Sequence, residues 1–155
     1  MPAWKPHIRS SIQARVKPKW HSIDPSLATA ALGASPGGLL KDLNAMGFLF
    51  ESLTIKDLRV YADILDAKVF HYRDSTGLEI DAIVERRSGE WVGIEVKLGG
   101  ERAIEEAIVN FGKLRSRLTQ QKLGSLASFC VITGGQTSYT RPDGIHVISL
   151  GHLRF

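Results

Sequence analysis

The chain has 155 residues, enough for one domain with a buried core, and its 43% hydrophobic and 23% charged residues are ordinary for a soluble globular protein. No apolar run is long enough to cross a bilayer, and a single cysteine, Cys130, excludes an internal disulfide. The net charge of +4 and a pI of about 9.4 suit a polyanionic partner without requiring one. Residues 1–10 carry no apolar stretch of the kind that marks a secretory signal, so a cytoplasmic location is expected.

In chain order, residues 1–36 read as a basic lead-in. Arg9, Arg15, Lys17 and Lys19 fall among Trp4, Pro6, Pro18 and Trp20 without sustained periodicity. The segment is an irregular lead-in, the remnant of an upstream region, or a basic arm. Asp24-Pro25-Ser26 has the character of a helix start, which predicts a short helix over 27–32 and a loop over 33–38.

The domain proper is expected over 37–155. Leu39, Leu43, Met46, Phe50 and Leu53 recur at spacings of four and three, predicting a helix to about Tyr61 with these residues on its buried face. Three strand-like runs follow, over 68–73, 79–85 and 91–97. Their separators, Asp74-Ser75-Thr76-Gly77 and Arg87-Ser88-Gly89-Glu90, have hairpin length and turn chemistry, so the three form an antiparallel meander. Gly99-Gly100 breaks the chain. Ile104, Ile108, Phe111 and Leu118 then mark an amphipathic helix. Residues 126–132 form a compact apolar strand, and 145–150 a last one. A strand reached through a helix enters its sheet parallel to a neighbour. The expected fold is therefore α/β, a mixed sheet with an antiparallel three-strand meander flanked by helices, in the order α-β-β-β-α-β.

The chemistry lies in the meander. Glu79 and Asp81 stand two apart in the second strand and are expected to share a face. Glu95 and Lys97 do the same in the third. Charges on a central strand are costly to bury unless they are paired or bound to metal. Two carboxylates about 5–8 Å apart on adjacent strands repel each other, and a hard divalent cation relieves that repulsion. Asp81, Glu95 and the backbone carbonyl of Val96 are oxygen ligands suited to Mg²⁺ or Mn²⁺, with Lys97 beside them to stabilise charge on a transition state. Glu51 joins them if its helix packs beside the meander. Arg73, Lys113, Arg115 and Arg117 are the candidates for contact with a nucleic-acid backbone. Arg73 has an alternative role as a partner of Glu79 across the hairpin. The five histidines have no ligand spacing, and no nucleophile-elbow pattern occurs.

A glutamate in the first helix, an acid in the second strand and Glu-x-Lys in the third resemble the PD-(D/E)XK nuclease superfamily. Here the motif is Glu51, Asp81 and Glu95-Val96-Lys97, with Ile80 where many members have proline. The resemblance implies a restriction-endonuclease-like core, a Mg²⁺- or Mn²⁺-dependent hydrolysis of DNA, and Glu51, Asp81, Glu95 and Lys97 as its catalytic residues.

A narrower resemblance over about 18–155 is carried by Gly47-Phe48-Leu49-Phe50-Glu51, His71-Tyr72-Arg73, Gly77-Leu78-Glu79-Ile80-Asp81 and Ile94-Glu95-Val96-Lys97. It is to the uncharacterised C-terminal domain that follows AAA-type ATPase modules in bacteria and archaea. This implies an ATPase partner, since the chain has no phosphate-cradling Gly-x-x-x-x-Gly-Lys-Ser/Thr segment of its own. Three readings follow: a metal-dependent nuclease, a catalytically inactive DNA- or protein-binding module serving such an ATPase, and a homodimerisation domain whose acids are merely solvated.

Overall fold

The structure is a computed structural model and describes residues 1–6 and 17–153. Arg9 and Arg15 of the basic lead-in therefore lie outside the described residues. The elements are α1 (Pro25–Ala31), α2 (Pro36–Leu39), α3 (Leu43–Ile64), β1 (Ala67–Arg73), β2 (Glu79–Arg86), β3 (Trp91–Lys97), α4 (Glu101–Arg115), α5 (Gln120–Gly124), β4 (Leu126–Thr133), β5 (Tyr139–Thr140) and β6 (His146–Ser149). The first three helices start where short polar side chains accept orphan backbone N–H groups. Asp24 caps α1, Ser35 caps α2 and Asp42 caps α3. The predicted loop over 33–38 thus gives way at its end to the one-turn α2, which Ser35 and Pro36 nucleate.

The strands form one six-stranded sheet in the order β1-β2-β3-β4-β6-β5. β1, β2 and β3 are the expected antiparallel meander. β4 returns through α4 to lie parallel to β3, and β6 lies parallel to β4. The mixed α/β sheet flanked by helices is as expected.

Each face of the sheet carries a core. On one side Ile55, Leu58 and Ala62 of α3 pack on Val69, Ala82, Ile94, Val96 and Ile132. On the other, Ile104, Ala107, Phe111 and Leu114 of α4 cover Ile83, Trp91, Phe129 and Val131. The stripe expected on α3 was placed too early. Leu43 is 61% exposed and Leu39 belongs to α2, because only the second half of α3 lies against the sheet.

The packing also crosses the boundary drawn at residue 36. Trp4 is 1% exposed, its ring centroid 4.7 Å from that of Trp91, and its Nε1–H donates to Glu85 Oε2 at 3.0 Å. Backbone bonds from Trp4 N to His71 O and from His71 N to Pro2 O add residues 2–4 to the free edge of β1. The same segment fastens the chain at Lys19, whose N–H donates to Met1 O at 3.0 Å.

Candidate active site

The ladder between β2 and β3 runs from Glu85↔Trp91 to Ala82↔Ile94 and stops there. Beyond that point a bulge falls in β2. Phe70 pairs with Ile83 but Tyr72 with Ile80, so Asp81 and Ala82 together oppose His71. The extra residue breaks the alternation: Ile80 packs in the α4-side core and Ala82 in the α3-side core. Glu79 and Asp81 still turn to a common partner, Lys19, whereas the expectation that Ile80 and Ala82 share the opposite face fails, because it assumed an unbroken period of two. The bulge turns the Asp81 carboxylate into the gap between the strands, where its Oδ2 accepts the Val96 N–H at 2.9 Å.

Asp81 becomes the link between two ion-paired clusters. On the α4 side, Lys97 Nζ lies 2.6 Å from Glu95 Oε2 and 3.7 Å from Asp81 Oδ2. Asn110 of α4 donates its side-chain N–H to Glu95 Oε1 at 3.0 Å. Near α3, Lys19 Nζ lies 2.7 Å from Glu51 Oε1, 2.7 Å from Glu79 Oε1 and 3.6 Å from Asp81 Oδ1. All four residues read from sequence, Glu51, Asp81, Glu95 and Lys97, thus meet at one end of β2 and β3, with Glu51 joined through Lys19. Glu79 answers to Lys19.

Burial sets the electrostatics. Glu95 is 1% exposed, so its acid is not a solvated surface group. Burial, then the neighbouring Asp81 charge, pushes its carboxyl up to about 7. Glu51 is raised for the same two reasons. Lys97 is raised despite its burial, because Asp81 and Glu95 favour the ammonium; Lys19 is raised by Glu51, Glu79 and Asp81. The His21 side chain is buried against Glu51, with Nδ1 4.0 Å from Glu51 Oε1. Burial and the Lys19 charge lower it to about 4, so the ring is neutral.

The donor set fits a hard divalent cation in kind, since every candidate ligand is an oxygen: two carboxylates and the Val96 carbonyl. Asp81 and Glu95 would hold it. The arrangement itself is filled by ammonium groups, and among the described residues no group of three or more His, Cys, Asp and Glu is gathered closely enough to hold a metal ion. Val96 meets Asp81 through its N–H.

The basic candidates divide. Arg117 ion-pairs with Asp74 and so ties the end of α4 to the β1–β2 turn. Lys113 and Arg115 are exposed on the last turn of α4, and Arg73 is exposed at the end of β1. Sequence reasoning missed Lys19 as a site residue, Asn110, and the buried His21. Asn110 carried a usable signal, being polar one residue before the buried Phe111 on an otherwise apolar helix face.

Fold and site together define an α/β domain with a half-buried carboxylate–lysine cluster at its strand ends. The chain belongs to the DUF4143 family, described as a domain of unknown function, which it matches over residues 46–153. Comparison with curated proteins and comparison with solved structures each gave no match. Among the described residues no helix is long and apolar enough to cross a membrane.

Proposed function

We propose that this domain is a Mg²⁺- or Mn²⁺-dependent nuclease of the PD-(D/E)XK type, hydrolysing phosphodiester bonds of DNA. One observation carries the reading: Lys97 Nζ stands within 3.7 Å of both Asp81 and Glu95 at the splayed end of two adjacent strands. A cation held by Asp81 and Glu95 would supply a water of lowered pKa at neutral pH. The chain's own residues do the rest. The Val96 N–H holds the Asp81 carboxylate between the strands, and Asn110 holds that of Glu95. Lys97 presents a positive charge where charge builds on a phosphoryl oxygen. Arg73, Lys113 and Arg115 are the side chains to meet the DNA backbone. The test is to incubate the protein with linear, nicked and branched DNA in Mn²⁺. Cleavage by the wild type and none by Asp81→Ala is expected; equal inactivity of both on every form would sink the reading.

A second reading is a catalytically inactive DNA- or protein-binding module that works with an AAA-type ATPase. It is favoured by the two ammonium groups that already neutralise the carboxylates. DNA binding without metal, unchanged in Glu95→Ala and lost when Lys113, Arg115 and Arg117 are neutralised, would select it.

A further inference from the structure

Lys19 is the feature the catalytic reading leaves unused. Its ammonium is seated among Glu51, Glu79 and Asp81, and so pairs with one of the two carboxylates that would hold a cation. It arrives on a segment built to be held by charge. Lys19 and His21 turn inward, with side chains 25% and 3% exposed, whereas Trp20 between them is 91% exposed and Ile23 is 86% exposed. Residues 17–23 therefore place no large apolar side chain in the core. Removing Lys19 from its seat costs ion pairs and two backbone bonds with Met1, with no hydrophobic cavity left behind. It would, however, leave three carboxylates without their shared counter-charge.

We propose that Lys19 is an internal counter-cation that competes with a divalent ion for the site, so that metal loading and withdrawal of residues 17–21 are one coupled step. This rests on the metal-dependent reading above. Electrostatics supports the competition from both directions. A divalent ion held by Asp81 is repelled by an ammonium 3.6 Å from the same carboxylate, and the ammonium is held less tightly once Asp81 serves the metal. By reciprocity, the factor by which Lys19 weakens the metal equals the factor by which the metal loosens Lys19. The device gives the domain a resting state in which its carboxylates are neutralised from within.

Two measurements test this. In the first, Mn²⁺ binding is followed by electron paramagnetic resonance for the wild type and for Lys19→Met, whose folding is checked by circular dichroism. Lys19→Met should bind Mn²⁺ at least about fivefold more tightly, the lower end of ordinary coupling between two ligands. The second uses the unaltered protein. Acylation of the Lys19 amine, read by mass spectrometry, should speed up severalfold when Mn²⁺ saturates the site. Equal or weaker Mn²⁺ binding by Lys19→Met, an unchanged Lys19 acylation rate, or no Mn²⁺ binding by either protein would each overturn the proposal. DNA cleavage separates it from the nuclease reading. Cleavage with Lys19 labelling unchanged discards the competition alone. Release of Lys19 by Mn²⁺ without cleavage of any DNA form keeps the competition and discards the nuclease.

Discussion

Asn110 reaches from α4 across the sheet face to donate its side-chain N–H to Glu95 Oε1 at 3.0 Å. It is the contact that fixes a buried carboxylate from outside its own strand. Its loss leaves the Oε1 atom of Glu95 without a donor in a place water reaches poorly, so Asn110→Ala should destabilise the fold by about 1–3 kcal/mol. The Glu95 carboxyl should also titrate higher than in the wild type, because the Asn110 donor favours its ionised form. Urea unfolding and carboxyl-carbon NMR titration read the two effects separately.

Glu95 itself is a strained choice for the fold. Burial and Asp81 both disfavour its charge. Its folded pKa lies above the unfolded value near 4.5, so the stability it contributes is present below that value and is lost as pH rises through about 7. Glu95→Gln keeps the shape and an acceptor for Asn110. At pH 8 it should melt at or above the wild-type temperature while losing Mn²⁺ binding and any DNA cleavage. A variant that unfolds at pH 8 would make Glu95 a structural residue instead.

Trp4 tests whether the first residues belong to the domain. Truncating a side chain that is 1% exposed and packed on Trp91 removes aromatic area and leaves a cavity. Trp4→Ala should cost about 3–5 kcal/mol in urea unfolding. A loss below about 1 kcal/mol, the ordinary range of surface substitutions, would show that residues 1–6 do not contribute to the core.

His21 gives the pH dependence its sign. In the unfolded chain it takes a proton near 6.5; in the folded protein burial and Lys19 hold it to about 4. Between those values the unfolded state binds the extra proton. Its contribution to stability is thus complete above pH 6.5 and declines as pH falls toward 4. The raised Glu95 and Glu51 slope the other way, so the comparison is with His21→Gln in metal-free buffer. The wild type's stability relative to the variant should fall from pH 6.5 to pH 4.5; parallel curves would show that the folded ring protonates normally.

The strands and the site residues on them were largely legible, because Glu95 and Lys97 follow an unbroken alternation and the two hairpin turns have diagnostic composition. Alternation placed Asp81 beside Glu79, and the two do share Lys19, but it also set Ala82 on the far face with Ile80; the bulge that moves Ala82 and lets Asp81 reach Val96 has no glycine and leaves no pattern of its own. The lower half of α3 was misjudged because periodicity shows that a stripe exists without showing where the sheet ends. Trp4 to Glu85, 81 residues apart, and Lys19 to Glu79 are contacts between segments whose pairing only the fold decides. β5 and α5, of 2 and 5 residues, are too short to carry a period.

The central claim is that Asp81 and Glu95 form a metal-binding pair. The most direct measurement is a crystal of the protein soaked in Mn²⁺ and examined by anomalous diffraction. A peak about 2.0–2.3 Å from a carboxylate oxygen of each residue, with Lys97 swung off Glu95, is the predicted result. The contradicting result is no peak at saturating Mn²⁺, with Lys97 still paired to Glu95 and Lys19 still seated between Glu51 and Glu79.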